Sequence, residues 1–123
     1  MSNTRIYNYH LRPEYDSENL LLEFFESGET NLLADLFDIL THFKATNTKT
    51  EDLWMNDEVL YHFESTLLGP FVMSKDVWGF VFIIAQDNQA ALNKIDEYLI
   101  NDNRFQKIKV DFNKYKTDKN ASS

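Results

Sequence analysis

The sequence predicts an α/β (α+β) single domain: a four-stranded mixed sheet with a C-terminal βαβ unit and three early helices on one face. Three observations carry this prediction. Residues 77–85, VWGFVFIIA, are the longest near-unbroken apolar run and are rich in β-branched and aromatic side chains, as a central strand buried on both faces requires. Residues 31–44 and 87–100 set their apolar side chains at helical spacing. Residues 77–112 read strand, helix, strand at the spacing of a parallel crossover, which is right-handed as a rule.

The elements follow in order. Residues 5–11 alternate loosely, with Arg5, Tyr7, Tyr9 and Leu11 on one side, and predict an edge strand that Pro13 ends. Asp16 or Ser17 caps a first helix, whose stripe is Leu20, Leu21, Phe24 and Phe25 and which Gly28 stops. Thr30 caps a second helix over 31–44, lined by Leu32, Leu33, Leu36, Phe37, Ile39, Leu40 and Phe43. The small polar stretch 45–50, ATNTKT, predicts a loop. Asn56 caps a third helix, with Asp57 and Glu58 in its first turn, where the helix dipole favours negative charge. Val59, Leu60, Phe63 and Leu67 continue it and Gly69-Pro70 ends it; a strand over 59–65 is the alternative.

Residues 71–73 predict a short strand, and Ser74-Lys75-Asp76 a turn into the central strand. Gly79 within that strand marks a bulge or a close packing contact. Asp87 caps a fourth helix lined by Ala91, Leu92, Ile95, Tyr98 and Leu99, which Asn101-Asp102-Asn103 breaks. In 105–112, Ile108, Val110 and Phe112 alternate inward against Lys107, Lys109 and Asp111, as in a strand. The globular domain is expected to span 1–113, with 114–123 a disordered polar tail.

The 123 residues are enough for one domain with a real core, and 43 % apolar with 15 % aromatic residues is a folding composition. With no cysteine, disulfides, thiolate metal sites and cysteine nucleophiles are excluded. The first ten residues, MSNTRIYNYH, hold no apolar core of a signal peptide, and the longest apolar run is under half a membrane span. A cytoplasmic protein that binds no membrane is therefore expected. The net charge of −8 is uneven: residues 1–74 carry 13 acidic and 4 basic groups, residues 75–123 carry 7 and 8. Nucleic-acid binding needs clustered Lys and Arg to neutralise phosphates, so an acidic front argues against it and for a basic partner, or for nothing beyond solubility.

No catalytic signature emerges. His42 and His62 each follow a carboxylate by four residues, Asp38 and Glu58, but this is also the spacing of ordinary ion pairs, and HExxH is absent. There is no GxSxG, and Gly28, Gly69 and Gly79 are too far apart for a phosphate-binding loop. The expectation is a non-enzyme without metal or cofactor. The segment 51–64 is more informative. Trp54, Met55 and Tyr61 stand among Glu51, Asp52, Asp57, Glu58 and Glu64: apolar anchors within an acidic rim, the make-up of a surface that captures a basic protein. The plainer alternative makes Trp54 a core residue and its neighbours solubilising charge.

A small, cysteine-free, acidic domain with an acidic aromatic-bearing face and no catalytic signature resembles the immunity proteins of bacterial toxin–immunity systems, including those of contact-dependent growth inhibition. The resemblance implies a cognate toxin, commonly a basic nuclease domain, bound in the cytoplasm and blocked, with carboxylates standing where nucleic-acid phosphates would lie. Two other classes remain open. One is a small enzyme or ligand- or metal-binding domain with a pocket near His42 and His62. The other is an oligomerising adaptor that pairs through an exposed strand at 5–11 or 105–112.

Overall fold

A computed structural model of the chain describes residues 7–14, 19–25 and 31–111. The elements run β1 (Tyr7–Pro13), β2 (Leu20–Phe25), α1 (Leu32–His42), β3 (Ala45–Leu53), a 3-10 turn (Trp54–Asn56), β4 (Glu58–Ser65), β5 (Gly69–Asp76), β6 (Phe80–Ile84), α2 (Gln89–Ile100) and β7 (Phe105–Lys107). One mixed sheet holds all seven strands in the order β3-β4-β5-β6-β2-β1-β7. Only the β1–β7 pair is parallel. The expected four-stranded sheet with three early helices is thus overturned: the described residues form seven strands and two helices.

Period-two alternation sorts the strands' side chains onto two faces. Tyr9, Phe24 and Val81 stand in register across β1, β2 and β6, and Leu22, Ile83 and Met73 across β2, β6 and β5. All six are buried in one core with Leu32, Leu36, Ile39 and Leu40 of α1 and Ala91, Leu92, Ile95 and Leu99 of α2. Both helices therefore cover the same face. Phe37 of α1 meets the rings of Tyr61 and Phe63 edge-on at 5.5 and 5.6 Å, and Tyr98 of α2 lies against His42 and Phe43 at the end of α1. A polar tether crosses the core. The buried Tyr9 hydroxyl donates to Asp96 Oδ1 of α2 (2.9 Å), and Lys107 Nζ of β7 donates to Asp96 Oδ2 (2.8 Å). Burial, then the Asp96 carboxylate, pushes the Tyr9 phenol above its ordinary range, so it stays a donor. No helix packs on the opposite face among the described residues. There Phe80 touches Phe25 and Phe82, and Arg12 pairs with Glu23 (2.8 Å) while passing 6.0 Å from the Phe82 ring.

Each departure from expectation has a physical cause. LLLEFF, expected as a helix, is the strand β2 between β1 and β6. Leu22 and Phe24 face the helices while Leu21 is buried on the other side, and a strand burying both faces mimics a helical stripe. The segment expected as a third helix is the strand β4, with Tyr61 and Phe63 toward α1 and Leu60 and His62 on the other face; the strand alternative was the right one. The expected loop 45–50 belongs to β3, an edge strand with mostly exposed side chains, where polar residues discourage further pairing. β1 is not an edge: it lies between β2 and β7. The C-terminal strand is shorter than expected, although Ile108 still donates its amide to Tyr9 O (2.8 Å). The strand–helix–strand unit β6–α2–β7 is formed, with β2 and β1 between its two strands. The expected cap Thr30, the residues Arg5 and Phe112 and the expected tail lie outside the described residues.

Arg104 clasps the layers together. Its guanidinium grips Asp102 through Nε and Nη2 (3.0 and 2.9 Å) and reaches Asp35 and Asp38 of α1 through Nη1 (3.4 and 3.3 Å). Asp35 also accepts from the Tyr7 hydroxyl (2.6 Å). Arg104 holds the Asp102 carboxyl below its ordinary value. A depressed folded-state pKa contributes stability above the unfolded value of ~3.9 that is lost as pH falls through the lower folded one. Asp102→Asn should therefore flatten the acid limb of the stability curve below about pH 4, as read by urea denaturation at stepped pH. No helix among the described residues is long and apolar enough to cross a membrane. Ile83, central and fully buried, should cost roughly 2–5 kcal/mol when cut to Ala, measured as a lowered urea midpoint at constant slope. A cost below ~1 kcal/mol would contradict its place in the core.

Candidate functional site

Two hairpin tips meet at one end of the sheet. In the first, β3 leads into the 3-10 turn Trp54–Asn56, and Asp57 takes a left-handed conformation (φ 56°) to enter β4. Aspartate tolerates that region better than most residues, and its amide closes the turn on Trp54 O (3.2 Å). The second joins β5 to β6. Here Asp76 Oδ1 accepts from the amides of Trp78 (2.9 Å) and Phe80 (3.0 Å), and Gly79 supplies the positive φ of 96°. β4 and β5 are neighbours with Glu58 opposite Asp76, so the tips lie side by side. Val77 donates its amide to Asp57 O (3.1 Å), and Ser74 donates to the Glu58 carboxylate below them.

Both tryptophans of the chain are on these tips, and both face solvent. Trp54 is 73 % exposed, Trp78 69 %, Met55 79 % and Val77 65 %. Among the described residues the other large exposed apolar side chains are Leu67 and Ile100, so apolar exposure is concentrated at this end. A cleft of about 220 Å³ opens here, lined by Asp52, Trp54, Asp57, Glu58, Val59, Lys75, Asp76 and Val77. Four acidic residues and one lysine thus line it, Asp52 and Lys75 in one register row with Val59, and Glu58 and Asp76 in the next.

The structure brings together Asp52, Trp54, Met55, Asp57 and Glu58 of the expected surface and separates the other three residues. Glu51 lies on the helix-free face, bonded to His62 Nε2 (2.6 Å) with Lys49 at 3.6 Å, and these two neighbours lower its carboxyl pKa. Tyr61 packs on Phe37 in the core layer. Glu64 pairs opposite Pro70, toward the far end of β4. A helix would have gathered these residues on fewer faces; a strand deals them alternately to two. The sequence reading misses three residues: Val77 and Trp78, absorbed into the apolar run, and Asp76, expected in a turn at 74–76, whereas Ser74, Lys75 and Asp76 end β5 and the turn falls at 77–79. The signal was there in Asp76-Val-Trp-Gly79, since aspartate followed three residues later by glycine marks a tight turn.

His42 and His62 do not share a pocket. His42 ends α1 beside Tyr98, while His62 points to the sheet's other face. Among the described residues no three His, Asp or Glu side chains gather as a metal ion requires. A second cleft, about 520 Å³ between His62, Lys49, Val72, Ile84 and Asn88, is an open trough. Its His62 is already bonded to Glu51. No family model, curated protein or solved structure matches this chain. What fold and site define is a class: a two-layer α/β domain that presents paired aromatic hairpin tips in an acidic setting. Because the tryptophans are exposed, replacing Trp54 and Trp78 by Ser should move the stability by no more than about 0.5 kcal/mol each in urea denaturation. A loss above ~2 kcal/mol would mean that they are packed.

Proposed function

We propose that the protein is a non-enzymatic binding module of the immunity-protein kind. It captures a basic protein partner, a toxin domain of nuclease type, in the cytoplasm and neutralises it by occupying the surface that meets nucleic acid. The observation that carries this reading is the exposure of both tryptophans on adjoining tips, with Met55 and Val77 beside them. Exposed tryptophan is costly in water and is enriched where interfaces concentrate their energy. The carboxylates of Asp52, Asp57, Glu58 and Asp76 at the same tips, with the acidic front of the chain, favour a partner of opposite charge and speed encounter with it.

The test is capture from the source cell with the intact protein as bait, followed by an assay of the recovered partner. A basic protein whose nuclease activity falls as the bait is added, in near-stoichiometric ratio, is the expected result. The bait Trp54→Ser/Trp78→Ser should recover much less of it. Asp52→Lys/Asp57→Asn should slow association at least about tenfold at low salt, and the difference should shrink as salt is added. The pair suits the test because neither side chain holds a hydrogen bond among the described residues, whereas Glu58 accepts from Ser74, and asparagine keeps the left-handed backbone that residue 57 adopts. Equal capture by the tryptophan-free bait would remove the tips from the interface.

A further inference from the structure

We propose that the cleft between the hairpin tips is a socket for an arginine side chain of the partner. The inference rests on the docking reading above and names the group that this surface grips. Trp54, Val59 and Val77 give the cleft apolar walls, and its acidic lining residues are Asp52, Asp57, Glu58 and Asp76, with Lys75; Asp52 stands in one register row with Val59 and Lys75, and Glu58 and Asp76 stand in the next row, which alternates to the other face. A volume of about 220 Å³ holds one long side chain and is too small for a helix or a hairpin.

The carboxylates are not equivalent. Asp76 already accepts from two backbone amides, and Glu58 from Ser74. Asp52 and Asp57 have no side-chain partner among the described residues, so their lone pairs are open to a ligand. The carboxylates also do not converge: no three His, Asp or Glu side chains of the described residues could share one metal ion. A metal ion therefore matches the site poorly. A guanidinium matches it better, because it is planar, carries donors in several directions and can bond separated carboxylates at once. Its face stacks on an indole, and it is more weakly hydrated than an ammonium, so it gives up less water on entering. Trp54 supplies that indole on the wall of the same cleft. Met55 and Trp78, exposed beside the opening, are placed to cover the residues that flank the inserted arginine.

The experiment titrates the full-length ¹⁵N-labelled protein with two capped peptides of equal length and charge, one carrying arginine among glycines and the other lysine. The indole N–H resonances of Trp54 and Trp78 are assigned with Trp54→Phe. The expected result is a saturable shift of the Trp54 indole by the arginine peptide, with an affinity about tenfold above that of the lysine peptide. Asp52→Asn/Asp57→Asn should abolish the shift while its backbone amide spectrum keeps the native dispersion. Equal affinity for both peptides, or tip resonances that neither peptide moves, would overturn the socket. If the captured partner still required Trp54 and Trp78, the docking reading would survive that result. Partner capture indifferent to both tryptophans would instead bring down the docking reading, and the socket with it.

Discussion

The structure depends on one constraint: strand side chains alternate between two faces, and both helices claim the same one. Burying Tyr9, Phe24 and Val81 in register against α2 settles where every neighbouring residue of β1, β2 and β6 points. A slip of one residue would carry this whole set to the helix-free side. The Tyr9–Asp96–Lys107 tether reinforces the register, since a buried hydroxyl and carboxylate are costly unless each finds its partner. Arg104 acts similarly at the rim, tying α1 to the loop before β7.

The hairpin tips inherit their geometry from that register. Because Glu58 stands opposite Asp76, the turns that precede β4 and follow β5 emerge together at one end of the sheet. Local chemistry then shapes each tip: left-handed Asp57 in one, the Asp76 side chain and Gly79 in the other, and the Val77–Asp57 bond between them. Tryptophans held on such braced turns lose little further freedom on binding, which makes their exposure useful as well as costly.

Charge and apolar contact divide the work at this surface. A net charge of −8 acts over distance and gathers a basic partner, but water and salt screen it. Contact energy has to come from groups that shed water on docking, and at this end those groups are Trp54, Met55, Val77 and Trp78. Several carboxylates elsewhere are occupied, as with Glu23 on Arg12, Asp102 on Arg104 and Glu51 on His62. Asp52 and Asp57 differ in lying beside exposed aromatic side chains with no such bond.

The sequence by itself determined the two helices α1 and α2, a strand containing Val81 and Ile83 and the strand–helix–strand order at the C-terminal side; it also indicated a hairpin before that strand, with the turn placed at 74–76 instead of 77–79 and the strand expected buried on both faces where Phe80, Phe82 and Ile84 are only half-buried. In each, a strong local period or a long apolar run leaves one conformation that buries the apolar side chains. It also singled out Asp52, Trp54, Met55, Asp57 and Glu58, together with Glu51, Tyr61 and Glu64, as a candidate surface, because aromatic residues set among carboxylates are legible in composition alone. Only the tertiary structure decided that Leu20–Phe25 and Glu58–Ser65 are strands, since short apolar runs fit either period until neighbouring strands offer backbone partners. Only the tertiary structure made Ala45–Leu53 a strand, because an edge position lets a polar segment pair on one side and face water on the other. It alone brought the tip that carries Trp78 beside the tip that carries Trp54, for their separation of 24 residues along the chain is bridged by the pairing of β4 with β5, a long-range register that no local pattern encodes.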